Sequence, residues 1–499
     1  MSTQNTHPVA YVRREMLDPA APPPGQTGVI RWMRENLVSS WFNAILTFVA
    51  LYVIWYVLSG ILPWTLNGIW NATSLNDCRA IRDARGLESA ACWAVINERW
   101  LQILFGFYPT DDPLLARLFH GEALAAAGGV DTVFNGGLNA TQRIEFVSAM
   151  KNQTSNGLIL FFGYWRPMLA LLLLVVAVAP VLYSSLPRSM LLFSLAYPFV
   201  AFFLLWGGSV WLPVLVALGL VACILIGRTL ASRFGMLGGT LGGLLAFLLI
   251  FMNPLSFLGI TGVFPLLPTV QGVFDSILPW GLAAVSSDQF GGFMLAIIIG
   301  TSGIVLSLPL GIALALGRQS SMPLIQWVCV AFIEVIRGVP LIVWLFTASL
   351  LLNYFLPPGT SFDLLLRVII MVTLFASAYL AEVVRGGLAA LPNGQYEAAN
   401  SLGLDYWKSM RLIILPQALK ISIPGIVNTF IGLFKDTTLV VFIGLRDPLG
   451  LTNAIRATSE WNGIYWELYI FVGLLFFTFC FFMSRYSMYL EQRLRTDHR

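Results

Sequence analysis

Apolar runs of about 20 residues, the length a helix needs to cross roughly 30 Å of hydrocarbon, follow one another through most of this chain. Inside a bilayer every backbone N–H and C=O must find its partner within the protein, which leaves helices or a closed barrel as spanning structures. These runs lack the apolar-polar alternation of membrane strands. The expected fold is therefore an all-α polytopic membrane protein. Composition points the same way: 57% of the residues are hydrophobic and 11% charged, where soluble domains carry about 25% charged residues. About ten spans are expected, near 38–60, 166–186, 190–207, 210–227, 235–256, 293–317, 324–352, 366–388, 423–445 and 468–487.

Under this count Arg188, Arg228 with Arg233, Arg318, and Lys408 with Arg411 fall in loops on one side of the membrane. Arg13, Arg14, Arg31 and Arg34 before the first span and Arg493, Arg495 and Arg499 after the last join them. The positive-inside rule makes that side the cytoplasm, so both termini are expected there. The net charge of +4 then reflects topology. No basic patch with interleaved aromatics suggests a nucleic-acid partner; lipid is the expected surrounding. Residues 1–37, with Pro22-Pro23-Pro24 and scattered charges, read as a flexible cytoplasmic tail. The first apolar run is long enough to span and reads as an uncleaved helix rather than a secretory signal.

Cys223, Cys329 and Cys480 lie inside apolar runs, where a small buried hydrophobe is the plain reading. Cys78 and Cys92 lie in the polar segment 63–160, which the topology places outside the cytoplasmic membrane. Disulfides persist in that compartment, and a bond between the two is expected. His7, His120 and His498 are scattered, and no His/Cys cluster has metal-ligand spacing. Neither a metal nor another cofactor is expected.

The chain divides near residue 290. An N-terminal membrane extension, 38–290, holds five spans and the insertion 63–160. The second part, 291–495, holds five more and the polar loop 389–422. In that loop Leu391-Pro392-Asn393-Gly394 is a turn signal that closes one helix and opens another, with Asn393 as candidate cap. Glu397 then sits in the first turn, and Lys408 and Arg411 lie toward the far end, as the helix dipole favours. Gly403 marks a bend or a close approach by another surface, since glycine costs about 1 kcal/mol in a helix interior. On physics alone, an amphipathic helix lying on the membrane is an equally good account of the segment.

The spacing Glu397-Ala398-Ala399, Gly403 and Ile413-x-Leu415-Pro416 resembles the EAA loop of ABC importer permeases. The resemblance extends over 290–495, through Glu334-Val335-Ile336-Arg337-Gly338-Val339-Pro340, the stretch Ser377 to Gly387, and Leu433-Phe434-Lys435-Asp436-Thr437-Thr438-Leu439. These are similar to the polar-amino-acid subgroup of type I permeases. Ala91-Cys92-Trp93-Ala94 and Phe107-Tyr108-Pro109 are similar to the larger permease subunit of general L-amino-acid importers. The resemblance implies a bacterial inner-membrane transport subunit rather than an enzyme. It also implies partners: two copies of an ABC ATPase docked on Glu397, Ala398, Ala399, Gly403, Ile413, Leu415 and Pro416, a second related permease, and a periplasmic binding protein that delivers the L-amino acid. The chain contains no Gly-Lys dipeptide and hence no phosphate-cradling loop of its own.

Ionisable residues within apolar runs are costly and usually face a cavity. Glu334 with Arg337, and Glu382 with Arg385, are each three apart on one helix, a spacing that also allows simple local neutralisation. A free amino acid carries a carboxylate that suits the planar fork of Arg337 and an ammonium that Glu382 or Glu334 suits. Arg385 reads as a flanking charge, and Asp436 as a polar contact along the path or a packing residue. Val339 stands where such permeases often carry threonine, which places a complete substrate site in this subunit in doubt. Pro340, Gly386-Gly387 and Pro424-Gly425 read either as hinges or as sites of close helix packing. A transporter driven by an ion gradient is the alternative, but the inverted pair of interrupted helices that would mark it is not evident.

Overall fold

The computed structural model describes residues 28–109, 164–183, 185–251, 266–351, 354 and 363–494. The expectations for 1–27, for 110–160 of the insertion and for the last five residues lie outside the described residues. The chain forms two compact units, Met1–Ala94 and Val95–Arg499.

The first unit holds α1 (Gly28–Asn36), α2 (Trp41–Leu66) and α3 (Leu75–Ala84). Ser40 caps α2, its hydroxyl accepting from the Asn43 N–H. Beyond α2 the chain folds back through aromatic contacts. The Trp93 ring centre lies 5.8 Å from that of Trp64 and 5.9 Å from that of Trp70, and its indole N–H donates to the Thr65 carbonyl. Cys78 of α3 and Cys92 are bonded, with their Cα atoms 6.0 Å apart.

The second unit begins with α4 (Ala94–Phe105), α5 (Trp165–Leu182), α6 (Met190–Trp206), β1 (Gly208–Ser209), α7 (Trp211–Phe251), α8 (Leu266–Ile277) and β2 (Gly281–Leu282). β1 and β2 pair antiparallel, Gly208 opposite Leu282. Three long-range bonds tie this part together: Tyr108 hydroxyl to Leu205 carbonyl, Arg166 Nη1 to Ala283 carbonyl, and Trp206 indole to Ser287 hydroxyl. There follow α9 (Gly292–Arg318), α10 (Pro323–Gly338), α11 (Leu341–Phe346), α12 (Leu364–Ala389), α13 (Asn393–Ser401), α14 (Tyr406–Ser409), α15 (Leu415–Asp436), α16 (Pro448–Arg456) and α17 (Trp466–Leu494).

Among the described residues seven helices are long and apolar enough to cross a membrane. Three of the expected spans take another form. Met190–Trp206 and Gly238–Phe251 are shorter apolar helices; the second is split from the first half of α7 at Gly235, whose φ of 76° interrupts the helix. The run expected over 324–352 bends by 102° between Pro323–Gly338 and Leu341–Leu351. Pro340 explains the bend: it has no N–H to give to the carbonyl four residues back, at Ile336. The indole N–H of Trp344 takes that carbonyl instead, at 3.2 Å.

Helices α9, α12 and α15 form the centre. At one end Leu295, Ile299, Val368, Val372, Leu433 and Val440 interlock; at the other Ala315, Ile333, Val384, Leu388, Ile414 and Ala418 do. Small residues let the backbones approach. A methyl group on Gly387 would overlap the Ser422 hydroxyl and the Ala418 carbonyl, and one on Gly425 would lie 2.8 Å from Val383. The Ser422 hydroxyl donates to the Val383 carbonyl across the same seam. Gly387 and Gly425 therefore serve as contact points between α12 and α15, and α15 runs unbroken through Pro424.

At the far end of this bundle Asp447 caps α16. Its Oδ1 accepts the Gly450 N–H at 2.8 Å, while Oδ2 is buried without a hydrogen bond. Burial pushes its pKa up from 3.8 to about 6, against the opposing pull of the backbone bonds.

Two outcomes follow for the purified protein in detergent. Gly387→Ala wedges α12 from α15 and lowers thermal stability by about 1–3 kcal/mol, whereas Gly386→Ala, with nothing near the added methyl, leaves it unchanged or slightly raised; thermal melts of the two compare them directly. For Asp447 the folded state holds the proton that the unfolded chain releases, so this group's contribution to stability falls as pH rises from 3.8 to about 6. Asp447→Asn keeps the cap and removes the titration, so its melting temperature relative to the parent's climbs through that interval and levels off above it.

Candidate functional site

The Ala389 end of α12 brings together the two groups of residues that the sequence singles out. The first is the polar loop. α13 is opened by Pro392, so Asn393 is its first residue and not its cap. The helix stops after two turns because Gly403 adopts φ 67°, a left-handed conformation natural to glycine at a helix end. The Gly403 and Leu404 N–H groups close the turn on the Asn400 and Ala399 carbonyls. Asp405 then caps a second helix through the Lys408 N–H at 2.8 Å. Lys408 and Arg411 thus belong to a different helix from Glu397, and the expected single amphipathic helix is two.

Past α14 the turn Met410–Ile414 is wider than an α-turn and leads into α15, with Leu415 and Pro416 as its opening residues. Gln417 Nε2 reaches back to Gln395 Oε1 at 2.9 Å, fastening α13 to α15. Within this frame Glu397, Ala398, Gly403 and Pro416 are exposed, Ala399 is fully buried, and Ile413 and Leu415 pack on the core. Leu402, Tyr406 and Trp407 add exposed apolar area beside them, at 72%, 50% and 62% exposure. An apolar patch with an acidic residue on a tethered short helix is suited to docking another protein.

The second group is a set of five charges from three helices. Glu382 of α12 lies at the centre, 16% exposed. Its Oε1 accepts Arg318 Nη1, from the last residue of α9, at 2.6 Å, and its Oε2 accepts Arg385 Nε at 3.0 Å. Arg318 also reaches Glu334 Oε1 of α10 at 3.0 Å. Arg337 of α10 stands 3.9 Å from Glu382 Oε1, with its guanidinium 5.5 Å from the centre of the Tyr379 ring and its Nε buried without a hydrogen bond.

Three guanidinium groups against two carboxylates leave one positive charge, and Arg337 is the least tightly held of the three. Glu334 bonds across to α9 rather than to Arg337 on its own helix. Both oxygens of Glu382 are taken by arginines, so of the two acidic candidates Glu334, which is more exposed and held once, is the freer. Asp436 is elsewhere: it ends α15, about 21 Å along the axis from Ser422, which packs on Gly387. Arg318 is the member that sequence reasoning missed, having been counted as a loop charge. The signal was its place in the last turn of an apolar helix, where a cation also offsets the helix dipole.

Seven or eight candidate spans among the described residues, with a charged cluster and an exposed polar loop at one end of the bundle, define a multi-span membrane protein. The family model of the binding-protein-dependent transport system inner membrane component matches residues 307–496. The chain is 50% identical over 98% of its length, and 99% of the relative's, to the glutamate/glutamine/aspartate/asparagine transport system permease protein BztC of Rhodobacter capsulatus. It is 35% identical over 93% of both chains to the inner membrane amino-acid ABC transporter permease protein YhdY of Escherichia coli. Against the probable glutamine ABC transporter permease protein GlnP of Bacillus subtilis it is 30% identical over 40% of its own length and 91% of the relative's. The chain belongs to the family of inner-membrane permease components of amino-acid ABC transporters. ATP hydrolysis resides in a separate subunit, and a binding protein completes the system.

Removing the central carboxylate leaves three guanidinium groups facing one another. Glu382→Gln lowers thermal stability by about 1–3 kcal/mol, the range for charge-assisted bonds at a partly exposed site. Arg318→Gln has a smaller effect, because Glu382 keeps Arg385. Melts of the two variants and of the double variant give the coupling between them.

Proposed function

We propose that this chain is one of two related permease halves of an importer for L-amino acids with carboxylate or carboxamide side chains, in the bacterial inner membrane, with both termini in the cytoplasm. The observation that carries the reading is the juxtaposition, at one end of α12, of the exposed short helix α13 and a cluster with one surplus positive charge. The substrate class follows the name of the relative that matches along nearly the whole chain.

In this reading Glu397, Ala398, Gly403 and Pro416 meet the ATPase, two copies of which serve the pair of permeases, and Ala399, Ile413 and Leu415 hold the docking helix at its angle. Arg337 receives the substrate's carboxylate, Glu334 its ammonium, and Glu382 keeps the arginines in place. Asp436 offers a polar contact nearer the other end of the path. The cytoplasm lies on the α13 side, in keeping with Arg318, Lys408 and Arg411 there. A sibling permease, rather than a second copy, is the expected partner, because the large extension 38–290 adds mass to one half only. The insertion 63–160 then faces the binding protein.

The test is affinity purification from the native membrane in mild detergent, with co-purifying subunits identified by mass spectrometry. The parent brings down an ATPase and a second permease. Gly403→Asp, which adds charge to the docking surface and strains the turn, loses the ATPase but keeps the permease. Absence of any ATPase, under conditions that keep a known importer intact, overturns the coupling assignment and favours a gradient-driven transporter, whose uptake would survive ATP depletion.

A further inference from the structure

The Arg337 guanidinium is held by a ring more than by an acid. Its carbon lies 5.5 Å from the centre of the Tyr379 ring, within the roughly 6 Å over which an aromatic face attracts a cation. Glu382 Oε1 stands 3.9 Å from its Nη1, beyond hydrogen-bond reach, and its Nε is buried without a hydrogen bond.

The ring is itself supported. Phe375, Tyr379 and Glu382 share one face of α12, because positions i, i+4 and i+7 of a helix lie one above another. Phe375 packs on the core cluster that contains Leu365 and Val372, and its ring centre is 4.9 Å from that of Tyr379, at an angle of 41°. The core thus steadies Phe375, Phe375 steadies Tyr379, and Tyr379 offers its ring to a side chain of α10.

Two positions compete for Arg337. A carboxylate oxygen has two acceptor sites; Glu382 Oε1 gives one to Arg318 at 2.6 Å and keeps the other. A shift of about 1 Å would bring Arg337 to charge-assisted hydrogen-bond distance from it, and its charge would then be spent on the protein's own carboxylate. Beside the ring the attraction acts through the ring's quadrupole, and the donors of the fork are left for a carboxylate that arrives. We propose that Tyr379 is a positioning residue for substrate recognition: supported by Phe375, its ring keeps Arg337 off Glu382 and so available to the carboxylate of the amino acid. This rests on the reading of Arg337 as the group that receives that carboxylate.

The experiment uses the whole importer, this chain with its permease partner, ATPase and binding protein, in proteoliposomes, and follows uptake of radiolabelled L-glutamate and ATP hydrolysis in the same preparation. Tyr379→Leu removes the ring and is expected to lower the glutamate taken up per ATP about tenfold, as loss of one partly desolvated cation–π contact allows, with hydrolysis close to the parent's. Tyr379→Phe keeps the ring and retains most of the uptake. Tyr379→Met, which fills the space without a ring, is expected to match the leucine variant and keeps the test valid if that variant does not assemble. Parallel losses of uptake and hydrolysis make Tyr379 a structural residue and overturn the assignment. So does parental uptake per ATP in both ringless variants, or a loss in Tyr379→Phe as large as theirs, which gives the role to the hydroxyl. Arg337→Gln in the same assay separates the two readings. If it loses uptake while the ringless variants do not, the role of the ring alone falls; if it keeps uptake, reception of the carboxylate by Arg337 falls and the role of the ring with it.

Discussion

The carboxylate of Glu382 holds the α13 end of the bundle together. Arg318 from α9, Arg337 from α10 and Arg385 from α12 converge on it, and without it their mutual repulsion would act in a setting where water screens poorly. The same carboxylate therefore sets the relative position of three helices and gathers their guanidinium donors into the space between them. α12 also carries Gly387, pressed onto Ser422 of α15, so the cluster and the start of α15 are joined through a tight seam rather than a soft one.

Backbone satisfaction explains where the bundle departs from straight helices. At two of the breaks, Pro340 and Gly403, a side chain takes over an orphaned backbone group. Trp344 serves the Ile336 carbonyl across the Pro340 bend, and Asp405 serves the first N–H groups of α14 after the Gly403 turn. Both breaks lie beside the candidate site. The Pro340 bend brings Arg337 to the end of a helix, where its guanidinium stands over Tyr379; the Gly403 turn lets α13 stand off as a separate, tethered helix.

Much of this was legible in the sequence. Helical spans follow from run length alone, and among the described residues each of the ten expected runs is mainly helical, because in hydrocarbon no other local choice satisfies the backbone. The residues of the polar loop 389–422 stood out in the sequence through their spacing. Their division into exposed contacts and buried supports did not, since it depends on the Gln417 to Gln395 bond between residues 22 apart. The charged cluster was half legible: Glu382 and Arg337 stood out as ions in apolar runs, while Arg318 did not, because a charge at a helix end looks like a loop charge until the neighbouring helix is in place. The bend at Pro340 was named as a break, but its 102° angle depends on Trp344 and its neighbours, which no local rule supplies.

The bent segment reaches from the charged cluster toward the other end of α12. Its first arm, α10, contributes Arg337 and Glu334 to the cluster, and its second meets Arg367 of α12, whose Nη1 donates to the Ser349 carbonyl. α12 runs past both arms as one unbroken helix from Leu364 to Ala389. A proline bend whose freed carbonyl is held by a single indole bond is a place where the angle between two arms can change without breaking the helix on either side.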